Sequence, residues 1–377
     1  MTTKTPSPSM PLSGTAQPST LDVSVGPQHP GSGHCRILIR VDGDYIVSAD
    51  PDIGYVHRGC EKIAEYRNYV SNIPHLERPN IADAIHLNWG YVLPIEELQG
   101  VEVPPRGKYI ATIAAEMNRI MSHLYGLAIM QGVFTGHTTI FMWAFGDRDL
   151  FIELAEMLTG ARLTYSFLAP GGPRRDLPFG FEDRLVKLLD YFEKRLKEYD
   201  RIFFSNPSVV ARTKGVGILK REEAMKLGVV GPVLRASGVK YDVRKVEPYG
   251  AYADLEFEIP TFEEGDSLAR FLVRFEEMKQ SVKIIRQALQ KIPKGPIARK
   301  APLVAPEGEA TGRVESSRGE IAYMVMGDNS DKPYRVKIMN GSFRNLIALP
   351  FLVRNVHVAD MPAIYGSLDY WPVEADR

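Results

Sequence analysis

Between Gly26 and Ile37 the chain reads GPQHPGSGHCRI, which sets His29 and His34 among Gly26, Gly31, Gly33 and two prolines. Glycine reaches backbone angles that other residues avoid and proline fixes φ, so the stretch is a shaped loop that holds two imidazoles. Imidazole titrates near neutral pH, and such a loop could hand protons to a substrate. It could equally be a tight turn whose histidines cap backbone groups; these residues alone leave both readings open. Elsewhere the eight histidines show no HExxH or other close metal-ligand spacing. His123, in RIMSHL, reads as a buried, hydrogen-bonded helix residue. Ser122 and Ser237 lack a nucleophile-elbow context. KGVGILK supplies Gly215 and Gly217 but not the third glycine of a dinucleotide loop, and no GxxxxGK[ST] occurs.

The two cysteines, Cys35 and Cys60, are too few for a disulfide framework, a cysteine-ligated iron–sulfur cluster or an all-thiolate zinc site within the chain. What remains is a set of Arg-rich polar segments between apolar helices: GYVHRGCEK, ERPNIADAIH, LRASGVKYDVRKVEPYGAY and VESSRGEIAYMVMGD. Arg235, Asp242, Arg244, Lys245 and Glu247 fall within thirteen residues, a density expected of solvated or paired structural networks.

These groups need elements to position them. With 377 residues, 44% hydrophobic and 24% charged, the chain can bury a large core. Lys+Arg and Asp+Glu balance at 46 each, so no net field draws the chain to nucleic acid or acidic lipid. No run approaches the ~18 apolar residues of a membrane span. The Ser/Thr/Pro-rich start lacks a signal-peptide core, so the expectation is an intracellular chain that does not itself cross a membrane. CRILIRV and YIVSA around Asp42-Gly43-Asp44 signal a β-hairpin. Ile110, Ile113, Met117, Ile120, Met121, Leu124 and Ala128 form one helical stripe. Further helices fit 59–71, 79–97 and 139–159, then Leu185 to Phe203, and Leu268 to Leu289 with Asp266 as cap and Arg and Lys on its outer face. GEIAYMVMGD and PYRVKIMN read as strands. The expected fold is α+β: a long-helix bundle with small β elements near the N- and C-termini. The expected divisions are a disordered tail at 1–21, a hairpin region with a site loop at 22–58, a helical core at 59–310, and a β region with a terminal segment at 311–377.

In this order the segments VGPQHPG, IGYVHRGCEKIAEYRNYV, EMNRIMSHL, MLTGARLTYSFLAPGGPRRDLP, GPVLRASGVKYDVRKVEPYGAY, SVKIIRQAL, RGEIAYMVMGDNSDKPYRVKI and DMPAIYGSLDYWPVEADR closely resemble one family. It is the D-type subunit of NADH:quinone oxidoreductase (respiratory complex I), with its archaeal deazaflavin-dependent counterparts, over residues 22–377. That family is similar in turn to the large subunit of nickel–iron hydrogenases, whose metal sits on two CxxC pairs. The second pair and its terminal His fall here on Trp371, Glu374 and Arg377. With two cysteines in the chain four thiolates cannot form, so no metal is expected.

The resemblance implies a peripheral subunit of a membrane-associated NADH (or other reduced donor):quinone oxidoreductase at the cytoplasmic face of the membrane. The chain would bind no cofactor alone. It would take electrons from an iron–sulfur cluster on a neighbouring subunit and form with that partner the site where quinone or a similar carrier is reduced, coupled to ion translocation. Implied partners are the cluster-bearing B-type subunit, the C-type subunit and membrane-arm subunits; nucleic acid is not among them. In the family a loop His and a helix Tyr hydrogen-bond the quinone. Here the loop is one residue shorter, Ser32 takes the place of that His, and Ile81 takes the place of the Tyr. An acid position is Phe134, although archaeal relatives tend to be apolar there too. The implied carrier site is His29, Ser32, Gly33, Ile81, Phe134 and His137, with His34 as candidate proton donor; Arg58 and Arg78 belong to the cluster-facing side. The alternative is a structural subunit that bridges the arms of such a complex without reducing quinone.

Overall fold

The computed structural model describes residues 20–28 and 33–377. His29 and Ser32 therefore lie outside the described residues. Strands β1 (Leu21–Val25), β2 (Arg36–Asp42) and β3 (Tyr45–Asp52) form an antiparallel sheet in that order. Ile37, Ile39 and Val41 alternate inward along β2, as period-two patterning requires. The tight connection is the expected one, with Gly43 at φ 58. A second antiparallel sheet near the other end joins Gly308–Ser316, Gly319–Gly327 and Arg335–Met339.

Between the sheets lie the helices. The segment expected as one helix over 59–71 is two, α1 (Cys60–Ala64) and α2 (Tyr69–Leu76). Asn68 breaks it by capping α2, its side chain accepting from Ser71 N at 2.7 Å. The helix expected from 79 begins as a kinked 3₁₀ turn, Arg78–Asp83, before α3 (Ala84–Gln99), because Asn80 sits at φ −137, ψ 95. Helices α4 (Pro105–Tyr125) and α5 (Thr138–Thr159) follow, then α6 (Phe181–Tyr199). The long Ser267–Lys291 helix is capped by Asp266, which accepts from Ala269 N at 2.7 Å, as expected. It packs along α4, and α3 packs between α4 and the second sheet. The segment after 340 is helical rather than extended, with Met361–Leu368 and Pro372–Asp376 its last two helices.

The expected apolar stripe of α4 is buried, but so is every other residue from Tyr109 to Leu124, including Glu116, Asn118, Arg119, Ser122 and His123. The outer-face expectation for Ser267–Lys291 fails similarly at Arg270 and Arg274, both at most 1% exposed. Each of these polar faces meets opposing polar groups of other elements. Arg119 donates to the carbonyls of Glu315 (2.6 Å) and Ser316 (2.9 Å), and Arg270 to those of Gly265 and Gly217 (both 2.8 Å). Burial without such partners would cost several kcal/mol per charge (about 3–5 when one partner of a pair is lost).

One apolar core gathers α3 to α6 with Ser267–Lys291, and a second joins the N-terminal sheet to the C-terminal helices. Gly366 lets the Met361–Leu368 helix touch the backbone after α4. A Cβ there would stand 2.0 Å from the Met130 carbonyl oxygen.

Candidate functional site

The C-terminal segment Asp369–Arg377 is where distant parts of the chain meet. Asp369 turns left-handed (φ 54) to end the Met361–Leu368 helix. Arg318, in the tight link between two strands of the second sheet, donates to the Asp369 carbonyl at 2.8 Å and to its carboxylate at 3.2 Å. The same guanidinium stacks 5.3 Å from the Trp371 ring, which meets Tyr125 edge-on. One turn later Glu374 is fully buried. Its Oε2 accepts from Asn80 Nδ2 (2.7 Å) and Ser342 Oγ (3.0 Å), and its main-chain oxygen accepts from Asn340 Nδ2 at 2.6 Å. Burial pushes its carboxyl up to about 7, with Arg318 opposing the shift. Asp376 accepts from the amide of Val56 at 2.9 Å, and His57 Nδ1 lies 2.6 Å from the Asp376 carbonyl oxygen. Arg377 stacks on Phe343.

The site loop reaches this segment where it is described. Gly33 is left-handed (φ 57), and a Cβ there would stand 3.3 Å from Pro372 Cγ. His34 is exposed at φ 71. Cys35 is fully buried, and burial, reinforced by the Asp376 charge, pushes its thiol up to about 12. Tyr370 shares the Cys35 core, Tyr365 lies 5.9 Å from Tyr370, and Phe134 lies 6.0 Å from Tyr365. An aromatic ladder thus links the loop to Phe134. Ile81 is 40% exposed on the Arg78–Asp83 turn, next to Asn80, which holds Glu374. His137 stands apart from this set in its ring contact: it precedes α5 and meets Phe203 at 5.7 Å. Gly33 therefore meets this segment directly, Ile81 through its neighbour Asn80 and Phe134 through Tyr365 and Tyr370, whereas His137 joins another part of the core.

Arg58 and Arg78 are both exposed and, among the described residues, make no ion pair or hydrogen bond. With Arg67 they surround buried His75, whose protonation is disfavoured by burial first and then by these three charges. A cavity of about 490 Å³ is lined by Gly54, His57, Glu61, Arg335, Phe343 and Arg377, among others, but not by Arg58.

Beneath these residues lies a buried ionic lattice, the paired network expected at 235–247, whose distant partners the sequence did not identify. Asp83 accepts from Ser317 Oγ (2.7 Å) and from His86 Nδ1 (2.5 Å), and the Arg119 guanidinium donates to His86 Nε2 at 3.3 Å. Glu116 then binds Tyr252 OH (2.6 Å), Ser281 Oγ (2.6 Å) and Arg244 (3.0 Å). Arg244 pairs with Asp242, and Arg235 with Glu277 (2.6 Å) and Glu315 (2.8 Å). His123 bonds Glu277 at 2.8 Å, so the structural reading of that histidine holds. Of the five charges clustered at 235–247, Arg235, Asp242 and Arg244 belong to this lattice, and Lys245 and Glu247 face solvent. The one sequence signal was the clustering of Arg with Asp and Glu, which indicates pairing but not which partners pair.

At the positions where the resemblance places hydrogenase ligands the chain offers an indole, a carboxyl already held by Asn80 and Ser342, and a guanidinium. That set does not fit a thiolate-bound metal.

The profile of the family "Respiratory-chain NADH dehydrogenase, 49 Kd subunit" matches residues 135–305 and 302–377. The D-type subunit of the NADH-quinone oxidoreductase of Desulforamulus reducens is 43% identical over 360 residues, covering 94% of this chain and 97% of its own. The D-type subunit of the F(420)H(2) dehydrogenase of Methanosarcina mazei is 41% identical over 364 residues, covering 94% and 97%. Among solved structures, a chain of the membrane-bound sulfane sulfur reductase, an archaeal respiratory membrane complex, superposes with a TM-score of 0.92 at 37% identity, covering 95% of this chain and 98% of that one. The α+β long-helix architecture is thus shared with that complex.

Proposed function

The chain belongs to the family of the 49 kDa subunit of respiratory-chain NADH dehydrogenase, and on that premise we propose that it is the subunit of a membrane-bound respiratory oxidoreductase that forms the carrier-reducing site. It sits peripherally: no helix among its described residues is long and apolar enough to cross a membrane. The unpaired Arg58 and Arg78 face the cluster-bearing B-type subunit, with the C-type subunit and membrane-arm subunits completing the assembly at the cytoplasmic face. Electrons cross from the partner's iron–sulfur cluster to a quinone or similar carrier under the 26–37 loop, and His34 gives the reduced carrier one of its two protons. The observation that supports this reading is that Gly33 and the Ile81 turn meet the Asp369–Arg377 segment, to which Phe134 is linked through Tyr365 and Tyr370.

The test is His34→Ala in the assembled complex. Carrier reduction should slow by roughly a hundred- to ten-thousand-fold, the span for losing a general acid, while reduction of the neighbouring cluster is unchanged. Unchanged turnover overturns the assignment.

One observation favours a second reading. Ser32 and Ile81 stand where the resemblance places the quinone's His and Tyr, and the Ile81 side chain offers no hydrogen bond. On this reading the acceptor is not a quinone, or the chain only bridges the arms of the complex. Identifying the redox molecule that copurifies, and comparing rates with a quinone analogue and with polysulfide, separates the readings.

A further inference from the structure

Two protons must reach a two-electron-reduced carrier, and His34 accounts for one. Most carboxyl groups of the buried core are poor sources of the other because arginine holds them ionised. Glu116, Glu277 and Asp242 each lie within ion-pair distance of Arg235 or Arg244 and are held low; burial pushes Glu315 up to about 7, but both its oxygens are engaged, one by Arg235 at 2.8 Å and the other by the Val243 amide at 3.2 Å. Glu374 differs. It is 1% exposed, one oxygen is held only by the neutral donors Asn80 and Ser342, and the other, Oε1, is buried with no partner. The titratable groups facing it are Arg318, Asp83 from the Arg78–Asp83 turn, and Tyr323 from the Gly319–Gly327 strand. None of them bonds it: Arg318 is taken by Asp369, Asp83 by His86 and Ser317, and Tyr323 donates to the Leu76 carbonyl. His57 and Asp376 bond each other's elements, and Arg344, on the helix that carries Ser342, lies 3.7 Å from Glu320. A carboxyl so placed holds its proton more tightly than a free one, because ionising it would bury a charge that no cation bonds. Its position is equally specific: it follows Pro372, which packs at Gly33, and hangs from Asn80, next to Ile81.

We propose that Glu374 is the second proton store of the carrier site. Its Oε1–H bond breaks after the carrier has taken two electrons from the neighbouring cluster. The proton goes to the carrier atom that holds the new electron pair. The carboxylate left behind, held by Asn80 and Ser342, regains a proton from solvent before the next turnover. This rests on the reading that the carrier binds at this end of the fold. The shift of the acid to about 7, caused chiefly by burial, fits the role: the proton is present below that pH and lost above it.

The experiment measures carrier reduction by the purified complex across pH for wild type, Glu374→Gln and His34→Ala. The wild-type rate should decline as pH rises through about 7. Glu374→Gln keeps the shape but cannot release a proton, so it should run about a hundredfold slower and lose that alkaline limb, with cluster reduction unaffected. A Glu374→Gln complex with the wild-type rate and pH profile overturns the inference while His34→Ala still slows turnover. If both variants turn over normally, the site assignment itself falls. Should Glu374→Gln fail to assemble, reduced-minus-oxidised infrared spectra of the wild-type complex decide: a protonated-carboxyl band must be lost on reduction and must move in Glu374→Asp. Absence of that band overturns the proposal.

Discussion

Replacing Arg235 by methionine probes the lattice beneath the site. Arg235 is 0% exposed and donates to Glu277 (2.6 and 3.0 Å), to Glu315 (2.8 Å) and to the Tyr241 carbonyl (2.9 Å), with Asp242 at 3.8 Å. Arg235→Met would leave Glu277 and Glu315 facing each other in a dry core with one cation fewer. Removing one partner of a buried pair costs about 3–5 kcal/mol. At about 1.4 kcal/mol per decade, that is a loss of two to four powers of ten in the folded-to-unfolded ratio. Guanidinium unfolding of the purified complex, followed by proteolysis of this chain, measures it. Adding Glu315→Gln removes one stranded carboxylate, so the double variant should be more stable than Arg235→Met. The pH dependence has a definite sign. In the wild type, Arg235 beside Glu277 holds that carboxyl well below the usual carboxylate range. Its stabilisation is present above the unfolded value of about 4.3 and is lost as pH falls through the folded one. In Arg235→Met the same carboxyl is pushed up instead, so the variant's folded state binds more protons than its unfolded state and loses stability as pH rises. The gap between the two proteins should narrow in acid. A destabilisation under about 1 kcal/mol, or no rescue by Glu315→Gln, would refute the reasoning.

Two further expectations concern the ends of the electron path. Arg58→Glu with Arg78→Glu should weaken capture of the cluster-bearing partner by roughly tenfold or more at low salt and far less at 1 M, where charges are screened within about 3 Å; equal capture at low salt would show that this face is not the docking face. The Cys35 thiol, pushed up to about 12, should at pH 8 alkylate about a thousandfold more slowly than a free thiol, as read by mass spectrometry of the intact complex; labelling at the free-thiol rate would mean the loop does not shield it.

How much of this was legible depends on range along the chain. The hairpin, the α4 stripe and the Asp266 cap follow from neighbours within a few residues, and all three are present. The polar side of α4 is different. Periodicity marks Glu116, Arg119 and His123 as off the apolar stripe but cannot tell water from counter-charges, and their partners, Arg244 at 128 positions and Glu277 at 154 positions along the chain, decide it. The broken helix at 65–68 was missed because the apolar spacing continues through it while the Asn68 cap interrupts the backbone. The candidate site residues came from the family resemblance rather than from periodicity. What joins them, the segment 369–377, lies some 290 residues from Asn80 and carries no local signal of that contact.

The same geometry explains how chemistry could change at this site without changing the fold. The conformation of the Arg78–Asp83 turn is set by residues beside position 81, not by that residue. Asn80 bonds Glu374 and the amide of Ala82, Asn118 Nδ2 bonds the Ala82 carbonyl at 3.0 Å, and Asp83 accepts from Ser317 and His86. The Ile81 side chain is 40% exposed and enters none of these bonds. A tyrosine or an isoleucine there therefore rides on the same backbone, and exchanging one for the other should alter the surface presented at the proposed carrier site while leaving the turn in place. Position 374 has the opposite character. Its side chain and carbonyl tie together Asn80, Ser342 and Asn340 in the core, so a change there reaches both the Arg78–Asp83 turn and the Gly341–Leu346 helix with its Asn340 cap. If the carrier binds where we propose, its preference can vary at the exposed Ile81 edge, whereas Glu374 beneath is held by the fold.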